Sequence, residues 1–134
     1  MVLSCLISKF IKRRISFPYD WRDGQNDNLW QGVSGTNNPC PAGFRLPTES
    51  EWETEMNSWS TQDAAGAFAS PLKLVAAGQR RHSDGGFDGI DINGLYWSST
   101  VIATNAYYLG FTLSSAITYN TLRARGYSVR CIKD

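Results

Sequence analysis

The apolar positions along this chain change period between its middle and its end. Trp52, Met56 and Trp59 recur at i, i+4 and i+7, a single stripe on one face of a helix. Thr48, directly after Pro47, and Glu51 three residues later have the spacing of a capping box. Glu49, Glu51, Glu53 and Glu55 crowd the first turns, where the helix macrodipole favours anions. The pattern predicts a helix over residues 49–59. Further along the period drops to two. Residues 105–113 set Tyr107, Leu109, Phe111 and Leu113 against Ala106, Tyr108, Gly110 and Thr112, the alternation of a half-buried strand. Tyr127, Val129 and Cys131 alternate likewise against Ser128, Arg130 and Ile132. These read as two antiparallel strands separated by an irregular segment over residues 118–126, with residues 95–100 as a third strand.

Weaker signals fill the remainder. A second, shorter helix is expected over residues 61–69, with Ser60 as its cap and Asp63 at the third position, weakened by Gly66. Pro71 then starts a strand, LKLVAAGQRR. Residues 20–41 are polar and rich in turn signals, yet hold Trp21 and Trp30, which are too large to leave fully exposed. An ordered loop packed by its own aromatics follows. At the N-terminus, residues 1–18 offer a first strand or extension with Leu6, Phe10 and Ile15 as its apolar positions, ended by Pro18. With no internal repeat and no linker, the expectation is one loop-rich α+β domain over residues 1–134.

Charge sharpens this picture. The formal net charge is +1, but residues 1–19 carry only cations, residues 20–91 are acid-rich, and residues 92–134 hold Arg123, Arg125, Arg130 and Lys133 against Asp134 alone. A polyanion binder would be more basic overall, so no nucleic-acid partner is expected. The apolar run at residues 2–7 is too short for a signal peptide, and its basic cluster follows rather than precedes it. No run approaches the roughly 18 apolar residues of a membrane span. Cytoplasmic residence and surface display by another route both stay open. The three cysteines are an odd number. Cys40 and Cys131 could bridge the last strand to the loop before the helix, while a reduced pair fits a cytosolic chain equally well.

The C-terminal region, residues 95–134, has an unusual palette. Glu, Gln, Lys, Met and Trp are all absent between Ser98 and Arg130, although each occurs before Ser98. What remains is Tyr, Ser, Thr, Asn, Gly, Arg and small aliphatics, the composition of an antibody paratope. It reads as a binding surface built on strands. Candidate chemistry elsewhere is sparse. The helix carboxylates read as a solvated face. Asp84, Asp88, Asp91 and Asn93 could supply oxygens to calcium, but their spacing fits no EF-hand loop and Asp–Gly pairs are ordinary turn formers. Apart from that minor calcium reading, no cofactor is expected. His82, the sole histidine, lies in a turn-rich segment and is assigned no catalytic role.

Four motifs, CPAGFRLPTESEWE, GLYWSST, NAYYLGF and GYSVRCIKD, resemble the Fibrobacter succinogenes major paralogous (FISUMP) domain in order and spacing, over residues 20–134. The GFRLPTESEWE stretch also resembles the formylglycine-generating enzyme family. The domains of that family share a C-type-lectin-like fold, a fold class that also includes the variable proteins of diversity-generating retroelements. The resemblance implies a C-type-lectin-like fold, with N- and C-terminal strands paired, two helices, and a small sheet carrying a binding face. It also implies a mechanism for the palette. Such retroelements replace template adenines, and the usual Asn codons then never yield Lys, Glu, Gln, Met or Trp. On this resemblance Val101, Ile102, Ala103, Thr104, Tyr107, Thr118, Tyr119, Thr121, Leu122, Arg123, Arg125 and Tyr127 form the variable, ligand-facing set. Trp52, Trp97, Leu109, Phe111 and Val129 form the scaffold. The implied function is noncatalytic binding of a protein or other macromolecule, with oligomeric state open. A fixed or carbohydrate-binding lectin-like module is the alternative. A formylglycine-generating type of enzyme is a minor one, since the chain lacks that family's paired cysteines near the C-terminus and Cys131 has no evident base.

Overall fold

Helix formation begins where the capping box predicts it. The computed structural model describes residues 19, 20, 22 and 24–134, so the N-terminal strand, Cys5 and Trp21 lie outside the described residues. Helix α1, Glu49–Asn57, starts with the Glu51 N–H donating to Thr48 Oγ1 at 3.3 Å and the Thr48 N–H donating to Glu51 Oε2 at 2.8 Å. It ends at Asn57 rather than residue 59, because the Ser58 N–H turns back to the carbonyls of Thr54 and Glu55. Trp59 nevertheless remains buried beside Trp52.

The second helix, α2, spans only Ala64–Ala69. Asp63, not Ser60, is its cap, accepting the Gly66 N–H at 3.0 Å. Gly66 weakens helix propensity but is sterically required, since a Cβ there would overlap the Thr61 carbonyl. The strand expected over LKLVAAGQRR shrinks to β2, Gln79–Arg80, after β1 at Phe44–Arg45. Positive φ at Lys73 and Gly78 breaks the extended run. β2 pairs antiparallel with β3, Phe87–Asp88.

The largest sheet is a meander of β4 (Gly94–Ile102), β5 (Asn105–Phe111) and β6 (Ala116–Leu122). β6 runs through the segment expected to be irregular. It pairs with β5 in unbroken register from Phe111 opposite Ala116 to Asn105 opposite Leu122. Of its inward positions Ala116, Thr118 and Asn120 are small or polar and only Leu122 is a large apolar group, so the apolar signal of an inner face is weak. The strand expected from Tyr127 onwards is instead a single parallel bridge at Ser128 to Tyr96, followed by β7, Ile132–Lys133, which pairs with β1. The Cys40–Cys131 disulfide is formed, closing the loop ahead of β1 onto the residue before β7.

Between α1 and the inner face of the meander lies the core: Trp52, Trp59, Ala67, Leu74, Tyr96, Leu109 and Phe111. Phe111 packs edge-on to Trp59 and stacks on Tyr96. Polar tips inside it are satisfied. Trp52 Nε1 donates to the Trp97 carbonyl at 3.1 Å. The Tyr96 hydroxyl accepts the Val75 N–H and donates to the Val75 carbonyl, each at 2.9 Å. Truncating a buried aromatic such as Trp52 costs about 3–5 kcal/mol. The described chain is therefore a mixed α/β structure, two helices with small antiparallel sheets.

Candidate functional site

Strand parity decides which residues can meet a ligand. Leu109 and Phe111 point towards α1, so Tyr108 between them points away. In register, Trp97 stands opposite Tyr108 and Tyr108 opposite Tyr119. This outer face of the meander thus carries Leu95, Trp97, Val101, Tyr108, Ile117, Tyr119 and Thr121. Tyr127 folds over it from the bridge at Ser128. Its ring lies 4.6 Å from Trp97 and 5.0 Å from Tyr108, centroid to centroid. Trp97 is the buried floor of the cluster, while Ile117 and Tyr119 are 55% and 59% exposed.

The electrostatics follow from this packing. Burial pushes the Tyr127 phenol up to about 12, against the lowering influence of the nearby Arg125 cation. Burial raises the Tyr108 phenol as well, again opposed by Arg125. Both rings are therefore neutral hydroxyl donors at ordinary pH. Arg125 is positioned by Nη1 donating to Gln79 Oε1 at 3.0 Å, while its buried Nε has no hydrogen-bond partner. The face can stack planar or apolar groups and offer hydroxyl and guanidinium donors. The meander strands themselves contribute no carboxylate to it, since residues 92–133 contain none.

The expected ligand-facing residues divide over the structure. Val101, Tyr119, Thr121, Arg125 and Tyr127 gather at the outer face. By register, Ile102, Tyr107, Thr118 and Leu122 belong to the opposite face. There the Thr118 hydroxyl donates to Glu53 Oε1 at 3.2 Å. Ala103 and Thr104 form the β4–β5 turn, with Ala103 at a positive φ of 48°. Arg123 is no surface cation at all. It is buried, donating to Asp27 and to the carbonyls of Ala103 and Asn105. Of the scaffold residues, Trp52, Trp97, Leu109 and Phe111 are buried, but Val129 is 39% exposed. Next to it, Ser128 carries the backbone bonds to β4, and Val129 itself stays outside the buried core. Tyr108, omitted from the expected set in favour of Tyr107, belongs to the face. The parity of Leu109 and Phe111 already carried that signal.

Elsewhere, the Asp84 and Asp88 carboxylates of the turn-rich segment are engaged by protein partners. Arg81 pairs with Asp84 at 2.8 Å, and Gln79 Nε2 donates to Asp88 Oδ2 at 3.0 Å. Among the described residues no cluster of His, Cys, Asp or Glu converges as a metal site. His82 meets the Tyr19 ring edge-on. No described helix is long and apolar enough to cross a membrane. Comparison with known proteins finds no matching family model, curated protein or solved structure.

Proposed function

We propose that this protein is a noncatalytic ligand-display module whose outer meander face binds a protein or other macromolecule. The observation that carries the reading is the Tyr108–Tyr119–Tyr127 cluster over Trp97, flanked by Arg125, on strands that carry no carboxylate of their own. Tyrosine and arginine are the usual energetic anchors of interfaces. Held on paired strands, they lose little freedom on binding. Two helices against a small meander, with a disulfide joining the segments ahead of β1 and β7, are features in keeping with a C-type-lectin-like fold. The residues missing between Ser98 and Arg130 support diversification of this region by an adenine-replacing retroelement.

Sequencing the DNA around the gene tests the diversification directly. The expected result is a near-copy of the segment encoding residues 98–134, differing at template adenines, beside a reverse transcriptase. Absence of both would make the face a fixed one and sink the diversification. The binding role has its own test: Tyr108→Ala with Tyr119→Ala should abolish capture of partners that the wild type selects from a displayed peptide library. Undiminished capture would overturn the assignment of this face.

A further inference from the structure

The meander has two edges, and the chain treats them differently. Along β4 the Trp97 N–H donates to the Ser128 carbonyl at 3.0 Å, and the Ser128 N–H donates to the Leu95 carbonyl at 2.9 Å. The Ser99 N–H donates to the Pro47 carbonyl at 2.8 Å, and the register shifts between Trp97 and Val101. An edge that is bridged and bulged in this way cannot template another strand. Among the described residues β6 has none of this protection. Apart from the turn bond from the Arg125 N–H to the Leu122 carbonyl, no backbone hydrogen bond among the described residues joins β6 to any segment besides β5. Its sequence, AITYNTL, contains no charge, no proline and no glycine. Exposed edges of globular proteins ordinarily carry such devices unless something pairs with them.

We propose that β6 is a dimerisation edge, along which two copies of this chain pair antiparallel about a twofold axis at Tyr119. The two meanders would then form one continuous sheet. The occupant is argued from the strand's match to itself. About that axis Tyr119 faces its own copy, Ile117 faces Thr121 on the outer side, and Thr118 faces Asn120 on the inner side. The inner pair is complementary atom by atom. Asn120 Oδ1 accepts from Asn105 Nδ2 at 2.9 Å, which leaves its amide N–H groups to donate. The Thr118 hydroxyl donates to Glu53, which leaves its lone pairs to accept. Each Thr118 can thus receive the partner copy's Asn120 amide, at the short cross-strand spacing of directly opposed residues. The exposed Ile117 and Tyr119 would gain a neighbour, and no like charges are opposed. The inference does not depend on the ligand reading, though it would merge two outer faces into one surface.

Sedimentation equilibrium of the full chain from low to high micromolar concentration tests it. A mass approaching twice 14.9 kDa is expected as concentration rises. Ile117→Lys with Thr121→Lys opposes like charges on both sides of the axis and should give a monomer with unchanged circular dichroism. Ile117→Lys with Thr121→Glu opposes unlike charges in this register and should restore the dimer, less so at high salt. Amide hydrogen exchange on the wild type needs no variant: protection over residues 116–122 should grow with concentration. A wild type that stays monomeric throughout overturns the proposal, as does a Lys/Lys variant that still dimerises.

Discussion

Arg123 Nη2 donates to Asp27 Oδ1 at 2.6 Å, tying the end of the meander to the loop that precedes the first helix. The same nitrogen reaches the Ala103 carbonyl at 2.9 Å, and Nη1 stands 3.9 Å from Asp20, a carboxylate that is 2% exposed. One guanidinium therefore holds together the residue 20–41 loop, the β4–β5 turn and the chain leaving β6.

Arg123→Ala should destabilise the protein rather than merely weaken binding. It removes the cation facing Asp20 and leaves that carboxylate buried without its charge partner, a loss on the order of 3 kcal/mol. Urea denaturation would show it as a lowered midpoint. A variant with the wild-type midpoint would mean that the ion pair contributes nothing and that the loop is held by other contacts.

Glu51 supplies a pH dependence whose sign can be worked out. The Arg45 guanidinium, which donates to both of its oxygens at 2.8 Å, holds its carboxyl at about 2, below the ordinary 4.5. A carboxylate depressed by folding stabilises the fold above its unfolded value and loses that contribution as pH falls towards the folded one. Glu51 is 38% solvent-exposed, so screening leaves roughly 1 kcal/mol of it. Glu51→Gln should therefore lower stability at pH 7 and converge on the wild type near pH 2. An equal difference at both pH values would show that the charge is not what matters.

How much of this was legible in the sequence follows from where side chains report their environment. The Thr48 and Glu51 spacing announced the start of α1, because both halves of the cap are local. Leu109 and Phe111 marked the inner face of β5, because burial there requires apolar groups. β6 was hard to see, since Ala116, Thr118 and Asn120 fill most of its inner side, with Leu122 the one large apolar group there, and Ile117 and Tyr119 stay on the outer side. Its existence is set by pairing to β5, which is a non-local property. Arg123 was misread for the same reason. Only the fold brings Asp20 and Asp27 to a residue that the resemblance assigns to the ligand-facing set.

The Cys40–Cys131 bond joins residues 91 apart in sequence, and the β1–β7 pair that it flanks contains just two residue pairs. So short a ladder does not hold a terminus by itself. Reduction, or Cys40→Ser with Cys131→Ser, should cost about 2–5 kcal/mol through the freedom restored to the unfolded chain. Thermal melts with and without reductant would read the loss. Identical melts would place the anchoring of the C-terminal segment elsewhere, at Ser128 and the Arg45–Asp134 ion pair.

Tyr127 makes the packing of the outer face measurable without any ligand. Burial against Trp97 and Tyr108 raises its phenol from the ordinary 10.0 to about 12. A raised value means that the fold favours the neutral ring. That contribution is complete below about pH 10 and is lost progressively as pH climbs towards 12. Ultraviolet titration of tyrosinate should show a late step that disappears in Tyr127→Phe, while the alkaline decline in stability becomes shallower. Should the late step survive both in Tyr127→Phe and in Tyr127→Phe with Tyr108→Phe, neither ring is enclosed, and the aromatic cluster proposed to anchor a ligand is not assembled in the free protein.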